Sequence, residues 1–175
     1  LFSDERESLR CLGVSARAAS VVASPRADGY FVGFVDAAAL RVQFVPAYGD
    51  ERRVIESAVW PLAGDDPADR LGLALSVDER QLAVSWTEAE RAHFAAFDVA
   101  PDRTLKIRSR AVLPAQGALA ADPLALRVDT GLLDWSSYQS DSGWLYVWLS
   151  ASGDASRLYG ARISDRTGKP LAEGR

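Results

Sequence analysis

The chain has no methionine, one cysteine and one histidine, and among its 20 basic residues only Lys106 and Lys169 are lysine. Most of these scarcities remove a class of chemistry. With Cys11 alone there is no internal disulfide, no Cys-x-x-Cys pair and no cysteine metal site. The simplest reading of Cys11 is a small buried hydrophobe; a free thiol or a bridge to another chain stays open. With His93 alone, two-histidine metal sites and zinc fingers with histidine pairs are excluded. A Ser–His pair is formally open, but there is no Gly-x-Ser-x-Gly elbow to present the serine. The glycines are scattered and form no phosphate-binding fingerprint. No stretch approaches the roughly 20 apolar residues that a membrane-spanning helix needs. The scarcity of lysine is read as codon or lineage bias, with no function attached.

What is present describes a folded chain. Its 175 residues, 48% hydrophobic and 25% charged, suit one ordinary domain or several small repeats. The net charge of −4 argues against nucleic acid as a partner, because phosphate binding is driven by Lys and Arg. The sequence opens on Leu1 without a recognisable signal peptide and stops at Arg175 in the middle of a pattern. The expectation is a processed or excised part of a longer precursor.

The strongest signal is repetition. Asp28-Gly-Tyr-Phe-Val-Gly-Phe34, Glu79-Arg-Gln-Leu-Ala-Val-Ser-Trp86 and Ser142-Gly-Trp-Leu-Tyr-Val-Trp148 each join a polar turn to an apolar strand ending in a large aromatic. Those aromatics stand 52 and 62 residues apart. A strand candidate precedes each, at 20–23, 71–77 and 124–133. Another follows each, at 40–46, 92–99 and 157–164. A fourth completes the first two units, at 53–60 and 105–113, and only begins in the third, at Pro170-Leu171. The spacing therefore predicts a lead-in segment at 1–18 and three units at about 19–62, 70–115 and 124–175. Asp28-Gly29, Ser142-Gly143 and Gly153-Asp154 supply turn chemistry.

The faces of the strands agree. Trp144, Tyr146 and Trp148 alternate with Leu145, Val147 and Leu149, so this strand is apolar on both faces and must be covered on both. Lys106, Arg108 and Arg110 instead give one charged face, as an outer edge strand protected from stray pairing would have. Apolar inner strands and a charged outer strand are the radial order of a propeller blade.

On these motifs, and on Arg157-Leu-Tyr-Gly-Ala-Arg-Ile163, residues 19–171 resemble the four-stranded blades of bacterial β-propeller repeat proteins. The resemblance implies an all-β fold of tandem four-stranded antiparallel units, about three blades with the last incomplete. It fixes no subfamily, since no WD dipeptide or kelch double glycine is present. Ser140-Asp-Ser-Gly-Trp144 resembles the Asp-box turn of sialidase-like propellers, with Gln139 at the leading serine; such a turn is structural.

One segment conflicts locally. Thr87–Phe97 carries a capping-box pattern at Thr87 and Glu90, and its alanines favour helix. The repeat places a hairpin there, because the two sister segments are poor helices.

Candidate functional residues are few. Asp134, Trp135 and Tyr138 form the candidate contact loop, since loops on a rigid scaffold carry recognition and Trp and Tyr dominate binding hot spots. A Trp folded back onto its own loop is the other reading. No catalytic residue, metal or cofactor is expected. The function expected is a non-enzymatic scaffold or protein-binding module, completed by another chain, by the rest of a precursor or by self-association, and secreted or periplasmic. Nucleic acid and membrane insertion are not expected. The rival is a propeller hydrolase acting on glycans or peptides. It would need two carboxylates about 5–10 Å apart across one sugar bond, and Asp36, Asp134, Asp141 and Asp165 lie at turns or strand ends.

Overall fold

A computed structural model describes residues 16–36, 39–47, 54–62, 70–88, 91–113, 118–119, 124–128, 143–152 and 155–164. Alternating apolar and β-branched runs become strands. The first sheet is β1 (Ala18–Ala23), β2 (Gly29–Val35), β3 (Ala39–Pro46) and β4 (Ile55–Pro61). The second is β5 (Leu71–Leu75), β6 (Gln81–Glu88), β7 (Arg91–Val99) and β8 (Leu105–Leu113). The third holds β9 (Ala118–Leu119), β10 (Leu124–Val128), β11 (Gly143–Ser152) and β12 (Ala155–Ser164). In the first two sheets the strands lie in chain order, and every pairing is antiparallel.

The third sheet holds a short strand that the sequence did not single out. Its path is β10-β11-β12, and the fourth strand is β9, which pairs with the far end of β11. Since β12 occupies the other edge of β11 along its length, β9 shares the edge used by β10. Leu119 faces Ser150 and Leu124 faces Val147, so the register shifts across the segment containing Pro123. Pro170-Leu171 lies outside the described residues.

The contested segment 87–97 is a hairpin. Thr87 pairs with Ala92 and Glu88 with Arg91. Helix propensity there is worth tenths of a kcal/mol per residue. As strands, β6 and β7 bury Trp86, Phe94 and Phe97, each worth roughly 2–3 kcal/mol. Tertiary burial wins.

The second sheet is covered on both faces. Leu82, Val84, Trp86, Ala95 and Phe97 pack with Phe31, Val35, Leu40, Val42 and Phe44 of the first sheet. On its other face Ala83, Ala92, Phe94 and Ala96 pack with Trp144, Tyr146 and Ile163 of the third. The small alanines leave room for the large aromatics, and Phe94 meets Tyr146 edge-on at 5.9 Å.

The spacing between sheets is uneven. Cα atoms of β1 and β5, and of β5 and β10, come within 8 Å of each other. Facing sheets ordinarily stand about 10 Å apart. Small residues permit the approach: a Cβ at Gly33 would already lie 3.2 Å from the side chains of Leu71 and Leu73, and the Leu73 amide donates to Ser20 Oγ at 3.2 Å. Toward the later strands bulky rings fill the gap. Trp60 lies 6.2 Å from Trp86 and 6.3 Å from Phe97. The packing is thus tight along much of the first strands, while the outer β4 and β8 also meet over a shorter stretch.

Three turns share one design. The amide of Ala27 donates to the Ser24 carbonyl, Glu79 to Ser76, and Arg103 to Ala100, each at 2.9 Å. The residue that closes each turn has a left-handed backbone, with φ of 56°, 58° and 67° in that order. The sequence pointed to Asp28-Gly29 for this role. Gly29 is instead the first residue of β2, needed because a Cβ there would sit 2.5 Å from the Val45 carbonyl oxygen.

Candidate functional site

Two buried polar clusters stand at opposite ends of the second sheet, and the first of them ties it to the first sheet. The first is centred on Glu79, whose left-handed backbone turns its carboxylate away from its own hairpin. Oε1 accepts from Ser24 Oγ at 2.7 Å and from the Arg26 amide at 2.8 Å. Oε2 accepts from the Arg103 guanidinium at 3.1 Å, and the same guanidinium bonds Asp28. Arg103 also lies 4.9 Å over the Phe44 ring. Burial pushes the Glu79 carboxyl up, but the donors Ser24, Arg26 and Arg103 outweigh it and hold the group below the ordinary carboxylate range. Asp28 behaves alike: burial raises it, and the bonds from Ser24 and Arg103 bring it below its ordinary value. Both Glu79 oxygens are engaged, so this cluster is a clamp between sheets.

The second cluster is Trp86, Glu88 and His93. His93 stacks on Trp86 with centroids 5.3 Å apart. The Trp86 indole donates to Glu88 Oε2 at 3.3 Å, and His93 Nε2 lies 4.0 Å from the same oxygen. Burial lowers the His93 pKa; the Glu88 charge opposes this, and Arg110 adds to the lowering. The imidazole and carboxylate are nearly closed to solvent, which leaves no open face for a substrate to approach.

Asp36 is committed locally. It accepts from the Ala39 amide at 2.8 Å and from Arg41 Nε at 2.6 Å. Asp134, Asp141, Asp165 and Cys11 lie outside the described residues, as do Trp135 and Tyr138 of the candidate contact loop. Among the described residues no three His, Cys, Asp or Glu side chains group as a metal site. No described helix is long and apolar enough to cross a membrane. The charged stripe on β8 is used in part: Arg108 bonds Asp98 at 2.7 Å, and Arg110 lies 4.8 Å over the Trp60 ring of the first sheet.

No family model, curated protein or solved structure matches this chain. The geometry alone therefore carries the functional reading.

The sheet faces at the two ends of the stack hold the most exposed apolar surface with a regular origin. Register aligns Gly29, Gln81 and Gly143 as the first residues of the second strands. One face of those strands then reads Tyr30-Val32-Phe34, Leu82-Val84-Trp86 and Trp144-Tyr146. The opposite face reads Phe31-Gly33-Val35, Ala83-Ser85-Thr87 and Leu145-Val147-Leu149. Each internal junction joins the second kind of face to the first kind of the next sheet. Facing away from these junctions are the Tyr30 face of the first sheet, where Val21 is 63% and Tyr30 46% exposed but Phe34 is buried, and the Leu145 face of the third, where Leu158 is 72% exposed. The sequence points to the unmatched ends as the reason for a partner but names no residue on them. Only the repeat alignment, carried through to faces, would have found them.

Proposed function

We propose that this chain is a segment of a β-propeller serving as a non-enzymatic scaffold or binding module, completed by further sheets. The single observation that supports the reading is the uneven spacing of the sheets. Backbones close along much of β1, β5 and β10 but meeting over a shorter stretch at the outer β4 and β8, with Trp60, Trp86 and Phe97 between the sheets, suit blades arranged around a shared axis. The buried ionisable groups of the first junction link or support sheets, which suits a scaffold better than a reaction centre. The apolar end faces give such a scaffold a reason to associate.

The test is an engineered disulfide between the first strands. In a Cys11→Ser background, Ser20→Cys with Leu73→Cys should oxidise to a bridge, because a disulfide needs Cα atoms within about 7 Å. A pair on the middle strands, Val42→Cys with Ala95→Cys, should stay reduced. A flat stack at about 10 Å would bridge neither, and failure of the first pair would overturn the reading.

A further inference from the structure

We infer that strand β8, at the outer rim of the second sheet, is a docking edge for an extended acidic segment of a partner protein, with Arg110 receiving its carboxylate. The inference rests on the binding-module reading and adds the kind of partner. It needs the first two sheets side by side and no closed arrangement of sheets.

The sequence points to one charged face on β8, at Lys106, Arg108 and Arg110. The structure divides that face. Ile107 pairs with Phe97 and Ser109 with Ala96, so Arg108 is the extra residue of a bulge. A bulge re-aims the side chains beyond it. Lys106 pairs with Asp98, on the face that carries Phe94 and Ala96. Ile107, Arg110 and Val112 pair with Phe97, Ala95 and His93, on the face turned to the first sheet. Ile107 is 44% and Val112 45% exposed, and Arg110 between them is exposed as well. The Arg110 guanidinium lies 4.8 Å over the ring of the half-buried Trp60 on β4. A cation held on an indole thus stands between two exposed aliphatic side chains.

Charge complementarity selects the occupant. Arg41, Arg103 and Arg108 each meet a carboxylate within the chain. No carboxylate among the described residues pairs with Arg110, whose contact is the Trp60 ring. Stacking fixes the planar fork while leaving its N–H groups able to bond a carboxylate side-on. Strand β8 carries three cations and no anion. Opposite charges across neighbouring strands attract and like charges repel, so the stripe that turns away other strands admits an acidic one. Among the described residues β8 pairs only with β7. Its other edge therefore offers main-chain donors and acceptors to an added strand. On such a strand, a carboxylate beside Arg110 and an aliphatic side chain two residues along, beside Val112, share one face.

Fluorescence anisotropy with a labelled peptide, Thr-Val-Thr-Glu-Thr-Val-Thr, tests this. Its glutamate and valines fall on one face when extended. Saturable binding to the chain is expected, with slower amide exchange along β8. Changing the peptide's glutamate to glutamine should weaken binding about tenfold, since a bond to a charged group is lost. Arg110→Ala should lose about as much, and Arg110→Lys should recover only part, because an ammonium lacks the planar fork. Val112→Ser should also weaken binding. Lys106→Ala, on the opposite face, should change it less than about twofold. The glutamine peptide leaves the protein untouched, so it decides the matter even where Arg110→Ala disturbs the sheet. No binding of the glutamate peptide, equal binding of the glutamine peptide, or an equal loss on Lys106→Ala would overturn the inference. So would a single-stranded oligonucleotide that displaces the peptide, which would assign the rim to phosphate. No peptide binding by a chain in which Ser20→Cys and Leu73→Cys form their bridge would remove this partner and leave the propeller reading standing. Loss of that bridge as well would remove both.

Discussion

Glu79, on the turn between β5 and β6, accepts a 2.7 Å hydrogen bond from Ser24, on the matching turn of the first sheet. The side chain that does this extends from a backbone with φ of 58°. The second sheet thus reaches across to the first at a fixed point, and Arg103 closes the contact from behind.

Replacing Glu79 by Gln should weaken the fold by about 2 kcal/mol near neutral pH, since Ser24, the Arg26 amide and Arg103 lose a charged acceptor while Arg103 keeps Asp28. The folded-state pKa lies below the ordinary 4.5, so the stabilisation is present above that value and is lost as the pH falls through the folded value. Urea unfolding of both proteins at several pH values should show their difference shrinking in acid. A constant difference would mean that charge plays no part.

His93 gives a pH dependence in a higher window. Its pKa is held below the ordinary 6.5, so the folded chain resists the proton that the unfolded chain accepts. The neutral imidazole's contribution is complete above 6.5 and declines as the pH falls below it. His93→Phe keeps a ring on Trp86 and removes the titration. Its stability should vary less than that of the native chain between about pH 7 and pH 5. Parallel curves would contradict this assignment.

Ala27 is the exposed member of the three left-handed turn residues. A left-handed backbone costs a non-glycine residue about 1–2 kcal/mol, and glycine's extra chain entropy returns about 0.5–1 kcal/mol of that. Ala27→Gly should therefore raise the melting temperature by about 2 °C. A lowered midpoint would show that the turn strain is compensated by contacts of the alanine.

Two glycines of the third sheet should respond oppositely to alanine. A Cβ on Gly143 would collide with the carbonyl oxygen of Ile163, whereas one on Gly160 meets its nearest neighbours at 3.8 and 3.9 Å. Gly143→Ala should cost about 2 kcal/mol through displaced backbone. Gly160→Ala should be neutral or gain about 0.5 kcal/mol from a less flexible unfolded chain. Thermal unfolding of the two variants checks the contrast.

The strands were readable because their signal is local. Alternation around Phe34, Trp86 and Trp144 is visible without any knowledge of partners. The hairpin at Glu88–Arg91 was ambiguous because alanine and glutamate report helix propensity, while the deciding burial of Phe94 and Phe97 comes from neighbouring sheets. The Glu79 clamp was not readable at all. It joins residues 55 and 24 positions away, and nothing in a lone glutamate announces them. Arg110 looked like part of a solvated stripe, because a ring 50 positions back cannot be seen as its platform. The contact loop at Asp134, Trp135 and Tyr138 was chosen by composition and lies outside the described residues.

The most direct test of the stacking order is a nuclear Overhauser spectrum of the aromatic rings. Phe94 to Tyr146 reports the junction of the second and third sheets, and Trp60 to Phe97 reports that of the first and second. Both cross-peak sets are predicted in one spectrum. Intact backbone cross-peaks within each sheet, with either ring pair silent, would contradict the stack.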